Sequence, residues 1–201
     1  MTKSTVHAIP LLPGFADPVL DSQYTFRQVL NAMAHPARLI PLEIKMEVPV
    51  PLYRSTGAIC LMLLDYETPL WVDLEGREEV KGWLRFHCGC PITPFPSSAR
   101  FALLFTEKDL PFLSQFHSGE DEFPEQSATL IIQVGGFTAG IGRSFRGPGV
   151  ETVNRLTIHG LSDRFWKFWE WNHRQYPRGV DVLFTSESTI VGLPRTIEVM
   201  E

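Results

Sequence analysis

A chain of 201 residues is long enough for one domain that buries roughly 70% of its unfolded surface. Its 44% hydrophobic and 20% charged content is that of an ordinary globular protein and excludes a disordered chain. A net charge of −5 argues against general nucleic-acid binding, which needs a basic footprint to neutralise phosphates.

No secretory signal is expected, because Pro10 and Pro13 break up the short apolar patch near the start. The longest uninterrupted apolar run, from Ala58 to Leu64, falls far short of the roughly 20 residues that cross a bilayer. Cys60, Cys88 and Cys90 are a sparse, odd set that suits reduced thiols better than a disulfide framework. The expectation is a cytoplasmic protein with no membrane partner, forming a single domain over residues 1–201. Residues 1–12 are expected to be a flexible N-terminal segment.

The first predicted element is a helix capped by Asp21 or Ser22 and running to about Ala34, with Phe26, Val29, Leu30 and Met33 on one face. His35-Pro36 stops it. The proline-punctuated stretch from Pro41 to Pro51 reads as irregular or as an edge strand. From Ser55 to Leu64 the composition favours helix over strand, and Pro69 to Leu74 reads as a strand. Glu78 to Phe86 has helical spacing, and Gly89 and Pro91 end it. A strand follows at Arg100 to Phe105, then a short helix from Asp109 through Phe116 and an exposed acidic loop at 118–122.

Thr129 to Val134 and Gly142 to Arg146 read as strands flanking a glycine-rich connection, and Leu156 to Ile158 as another strand. Ser162 is placed to cap a helix through His173. Val180 to Phe184, Thr189 to Val191 and Thr196 to Val199 form a strand-rich tail. Strands interleaved with helices point to an α/β protein, and the closely spaced last strands imply antiparallel pairing, hence a mixed sheet.

Several constellations bear on function. Arg143 and Arg146 run into Gly147-Pro148-Gly149; on one strand face they would suit an oxyanion, with the turn adding N–H donors from Gly147 and Gly149. The plainer alternative is a strand end with exposed arginines and a tight turn. Gly140-Ile141-Gly142 lacks the third glycine of a dinucleotide fingerprint, so nucleotide binding by that motif is not expected. His87 with Cys88-Gly89-Cys90 is half a metal site without a second pair, and no metal is expected. No hydrolase elbow exists, so no catalytic residue is assigned. Phe165, Trp166, Phe168, Trp169 and Trp171 crowd one helix; they are either core or an interface, where tryptophan serves as anchor.

One resemblance covers about Pro13 to Val199. Gly14-Phe15-Ala16-Asp17-Pro18, Ser22-Gln23, Phe26-Arg27, the Arg143–Gly149 stretch, Pro177-Arg178-Gly179-Val180-Asp181 and Gly192-Leu193-Pro194-Arg195 occur in this order. Together they resemble the PhnH family of bacterial phosphonate metabolism, a component of the carbon–phosphorus lyase complex. The resemblance implies a three-layer α/β sandwich with a mixed sheet, like the large domain of pyridoxal-phosphate transferases but without that cofactor. It implies an accessory scaffold working with the G, I and J subunits on ribose phosphonate triphosphates, able to form a homodimer when isolated. Radical cleavage belongs to the J component, and no cofactor is assigned to this chain. Alternatives are a phosphonate- or triphosphate-binding module and an independent pyridoxal-phosphate transferase. Ala37 stands where the family often has a glycine after the proline.

Overall fold

In the computed structural model, which describes residues 12–73, 78–105 and 110–201, helix α1 (Pro18–Ala34) starts at Asp17 rather than at Asp21 or Ser22. The Asp17 carboxylate accepts from the N–H groups of Val19 (3.1 Å) and Leu20 (3.0 Å), while Asp21 accepts from the Asp17 N–H in return (3.1 Å). Pro18 sits in the first turn, where a missing N–H costs nothing. Periodicity misplaced this start because Val19 and Leu20 face solvent and extend no buried stripe. At the other end, the His35 N–H donates to the Asn31 carbonyl at 3.0 Å.

Strand β1 (Ile40–Pro41) lies at a sheet edge, where a proline is tolerated. Helix α2 (Arg54–Leu63), strand β2 (Leu70–Val72) and helix α3 (Glu78–Cys88) follow, each where the sequence pattern put it. After β3 (Phe101–Phe105), the expected helix through Phe116 is only a 3-10 turn over Leu113–Gln115, closed by the Phe116 N–H on the Leu113 carbonyl. Pro111 just before it gives no N–H to a longer helix; its expected cap, Asp109, lies outside the described residues.

Strand β4 (Thr129–Gln133) leads into a long β5 (Gly136–Arg146), so the glycines at 140 and 142 lie inside a strand rather than in a connection. Ladder pairing is interrupted between Ala139 and Arg143. Then come β6 (Asn154–His159), α4 (Asp163–His173), β7 (Asp181–Thr185), β8 (Thr189–Leu193) and β9 (Glu198–Met200). Ser162 holds the cap position of α4, but its hydroxyl makes no capping bond.

Two sheets form instead of one. The larger has the order β1-β8-β7-β4-β3-β2, with β2, β3, β4 and β7 parallel and β7, β8 and β1 antiparallel. The smaller is antiparallel, β6-β5-β9. The chain changes sheets within one residue: the Val134 N–H bonds to Thr185 of β7, and the Gly135 N–H to His159 of β6. Hydrophobic runs cannot reveal such a switch, because β4 and β5 look equally strand-like.

The larger sheet is buried on both faces, which explains its continuous apolar strands. Leu103, Phe105, Ile131 and Leu183 join Ile59 and Trp83 in a core beneath α1, α2 and α3. Their alternates Ala102, Leu104, Leu130, Ile132, Val182 and Phe184 form a second core with Phe145, Leu156, Phe165 and Trp169. Three layers result, the outer one on the second face being α4 and the small sheet together. α1 seats closely on β8 at Gly192, where a Cβ would meet the Ala32 carbonyl oxygen at 2.4 Å. This contact carries the end of α1, and the loop after it, toward the small sheet.

Candidate functional site

Arg143 and Arg146 do not share a face. They are three residues apart in β5, and alternation sends them to opposite sides. Arg143 turns inward: it donates to Asp163 at 3.0 Å, lies 3.8 Å from Glu201, and stacks over Trp166 at 5.3 Å. Those contacts commit it to joining β5 and α4. Arg146 turns outward and is exposed, opposite Glu198 and on the strand face it shares with the buried Ser144.

The Gly147–Gly149 turn has a structural reason of its own. Gly149 has φ +84°, and a Cβ there would lie 2.2 Å from the Ala34 carbonyl oxygen. The turn thus locks onto the end of α1.

Where this turn meets the loop after α1, the surface opens into a cleft of about 670 Å³, lined by His35, Ala37, Arg38, Gly149, Glu151 and Arg155 among others. A second depression of about 410 Å³ holds Ser144, Arg146 and Glu201, and shares Gly140, Val153 and Arg155 with the first. Arg38, Arg146 and Arg155 are exposed, and none has an ion-pair partner among the described residues. The loop is rigidly held: Asn154 donates to the Pro36 carbonyl at 2.9 Å, and the Ala37 N–H to Gly192 at 3.2 Å. Ala37 itself is buried with φ +59°, the one non-glycine residue with positive φ among those described. An L-residue in that region carries a cost of about 1–2 kcal/mol, so the backbone here demands the shape whatever the side chain.

The aromatic helix α4 is mostly core. Phe165 and Trp169 are fully buried, Trp169 donating its indole N–H to the Ile197 carbonyl at 2.9 Å. Trp166 packs edge-on against Phe145, and Phe168 lies 4.5 Å from Phe112. Of the five aromatics only Trp171 is substantially exposed, at 48%. The helix buries two aromatics fully and two in part, because the small sheet and the 112–116 turn wrap its flanks as well as the large sheet its base.

The downstream motifs also hold the fold together. Arg195 clasps Asp181 through Nε (3.1 Å) and a close Nη2 contact, and donates to the Pro124 carbonyl (2.8 Å) and the Ser127 hydroxyl (2.5 Å). Beyond the C-terminal ends of β4 and β7, where a parallel sheet often holds a ligand, the described residues bond to one another. Gln133 at the end of β4 accepts from the Tyr53 N–H (2.8 Å) and the Thr56 hydroxyl (3.0 Å), which also meets Thr185 of β7 (2.7 Å).

The three thiols gather between α2 and α3. Cys88 Sγ lies 3.6 Å from the Cys60 carbonyl. Burial pushes the Cys60 thiol up; a hydrogen bond to Cys90 pushes Cys88 up, and the same bond lowers Cys90. His87 spends Nε2 on the Leu12 carbonyl (2.9 Å), which Trp83 shares (2.9 Å), so Leu12 is tied to the body of the domain.

Sequence reasoning reached Arg146 and Gly149 of the cleft but missed Arg38 and Arg155. The first stands two residues past the quoted His35-Pro36, and the second sits opposite Ser144 in the β5–β6 ladder. No spacing rule links residues that only sheet pairing brings together.

These features define a layered α/β protein with an arginine-lined surface cleft, suited to holding anions. The profile of the family described as bacterial phosphonate metabolism protein (PhnH) matches residues 13–200, and the chain belongs to that family. It is 33% identical over 184 residues, 91% of this chain and 92% of the relative, to the alpha-D-ribose 1-methylphosphonate 5-triphosphate synthase subunit PhnH of Rhizobium meliloti (strain 1021). It is 29% identical over 180 residues, 88% of this chain and 85% of the relative, to HtxG of Stutzerimonas stutzeri, a protein named as a candidate C–P lyase subunit.

Proposed function

We propose that this protein is an accessory subunit of a carbon–phosphorus lyase assembly, supporting conversion of alkylphosphonates through ribose 1-phosphonate 5-triphosphate intermediates without breaking bonds itself. Its partners are the G, I and J subunits in the cytoplasm, and the isolated chain pairs with a second copy. The observation that carries this reading is the outward face of α1, where Val19, Leu20, Phe26 and Leu30 stand 76%, 62%, 48% and 52% exposed. Large apolar side chains grouped on one helix mark a surface meant to be covered. Another component of the assembly is the occupant this family membership favours.

Because Phe165 and Trp169 are core, the aromatic contribution to docking reduces to Trp171, with α1 as the principal surface. Kinship with the large domain of pyridoxal-phosphate transferases rests on the family resemblance alone, since a layered α/β sheet is common to many unrelated proteins. An independent transferase of that kind needs a Schiff-base lysine; among the described residues lining the two depressions there is none.

Co-purification with the G, I and J subunits tests the proposal. Leu20→Glu with Leu30→Glu should abolish capture while the circular dichroism spectrum stays unchanged. Undiminished assembly of that folded double variant would refute the assignment of the α1 face.

A further inference from the structure

We infer that the joined depressions around Arg155 form a binding site for a small molecule carrying a polyphosphate chain. Arg155 borders both depressions, with Arg38 on the side of the larger and Arg146 in the smaller. Three guanidinium groups without ion-pair partners among the described residues leave their planar forks open to oxyanions, which they recognise in bidentate fashion. The acids facing the same space are Glu151 and Glu201, and Glu201 also lies 3.8 Å from Arg143. Glu198 stands opposite Arg146 on β9. A single phosphate is small beside a cleft of about 670 Å³ that opens into one of about 410 Å³. A chain of phosphates can meet Arg155 and reach a second arginine at the same time.

The backbone is shaped around this space. Gly140, common to both depressions, has no atom within 4 Å of where its Cβ would be, so the glycine leaves that part of the cleft open. The loop carrying Arg38 is pinned through Pro36 and Ala37, and Ala37 holds a left-handed conformation at 5% exposure. Strain kept in a buried loop beside a cleft is a mark of a pre-set binding geometry. The inference rests on the subunit reading for the kind of molecule at hand, and the two fail separately: capture of partners tests one, and ligand binding by the isolated chain tests the other.

Titration calorimetry of the isolated full chain with tripolyphosphate decides it, with inorganic phosphate and methylphosphonate as comparison ligands. One equivalent of tripolyphosphate should bind, about tenfold or more tighter than either comparison ligand. Arg155→Gln and Arg38→Gln should each weaken binding by about tenfold or more, while Arg143→Gln, whose arginine faces Asp163, should stay within about twofold. Added salt should weaken the wild-type complex. Melting temperatures of all variants establish that they are folded. No tripolyphosphate binding, equal affinity for inorganic phosphate, or equal losses in Arg143→Gln and Arg155→Gln would each overturn the inference.

Discussion

Gly140 and Gly149 have almost the same backbone, φ +83° and +84°, but opposite surroundings. An alanine Cβ at 140 would have nothing within 4 Å, whereas at 149 it would lie 2.2 Å from the Ala34 carbonyl oxygen and 2.9 Å from Pro36 Cδ. The left-handed penalty, about 1–2 kcal/mol, is common to both substitutions. So is the gain of about 0.4–1 kcal/mol from a less flexible unfolded chain. Gly140→Ala should therefore cost roughly 1 kcal/mol or less. Gly149→Ala must also push the turn off the end of α1, and forcing atoms into a packed region adds about 1–3 kcal/mol. The expected gap is about 2 kcal/mol, or about 4–8 °C in melting temperature for a chain of this size. Urea unfolding with matched m-values measures it. Equal destabilisation of the two variants would refute the idea that Gly149 is required by its contact with α1.

Other substitutions report on the remaining interactions. Arg195→Ala leaves Asp181 without its clasp and should cost about 3 kcal/mol in unfolding free energy, against a negligible effect for Arg174→Ala, whose partner Glu170 is exposed. Trp169→Ala should lose about 3–5 kcal/mol, while Trp171→Ala stays within about 0.5 kcal/mol, as thermal melts would resolve. Asp17→Ala removes two N-terminal bonds from α1 and should cost about 1 kcal/mol by the same measurement. Cys60 gives a pH dependence. Its thiol is raised by burial, so the native state keeps a proton that the unfolded chain releases above about pH 8.5. That contribution is complete below the unfolded value and declines above it, by at most about 1.4 kcal/mol per pH unit. Wild type should lose stability relative to Cys60→Ala between about pH 8.5 and 10, and parallel curves would contradict it.

Helix α3 was legible because apolar residues recur on a buried face, whereas α2, a continuous apolar run that a strand could share, was read from composition. The start of α1 was not legible, because its first turn shows Val19 and Leu20 to solvent and its true signal is the Asp17-Pro18 cap. The strands were legible as apolar runs, yet their partition into two sheets turned on a single residue, Gly135. The candidate site split along the same line. Gly149 stood out as a glycine in a turn, and its role proved to be contact with α1. Arg143 and Arg146 looked like a pair, and strand alternation separated them.

What the amino-acid sequence determined unaided was the class of the domain, its family and most of its elements, since these rest on local propensity, hydrophobic period and ordered motifs. Tertiary structure alone decided which surfaces are free. It buried most of the aromatic helix, tied Arg195 to Asp181, and brought Arg38 beside Arg155. The reason is physical: burial and charge pairing depend on distances through space, and chain folding sets those only when the sheets pack.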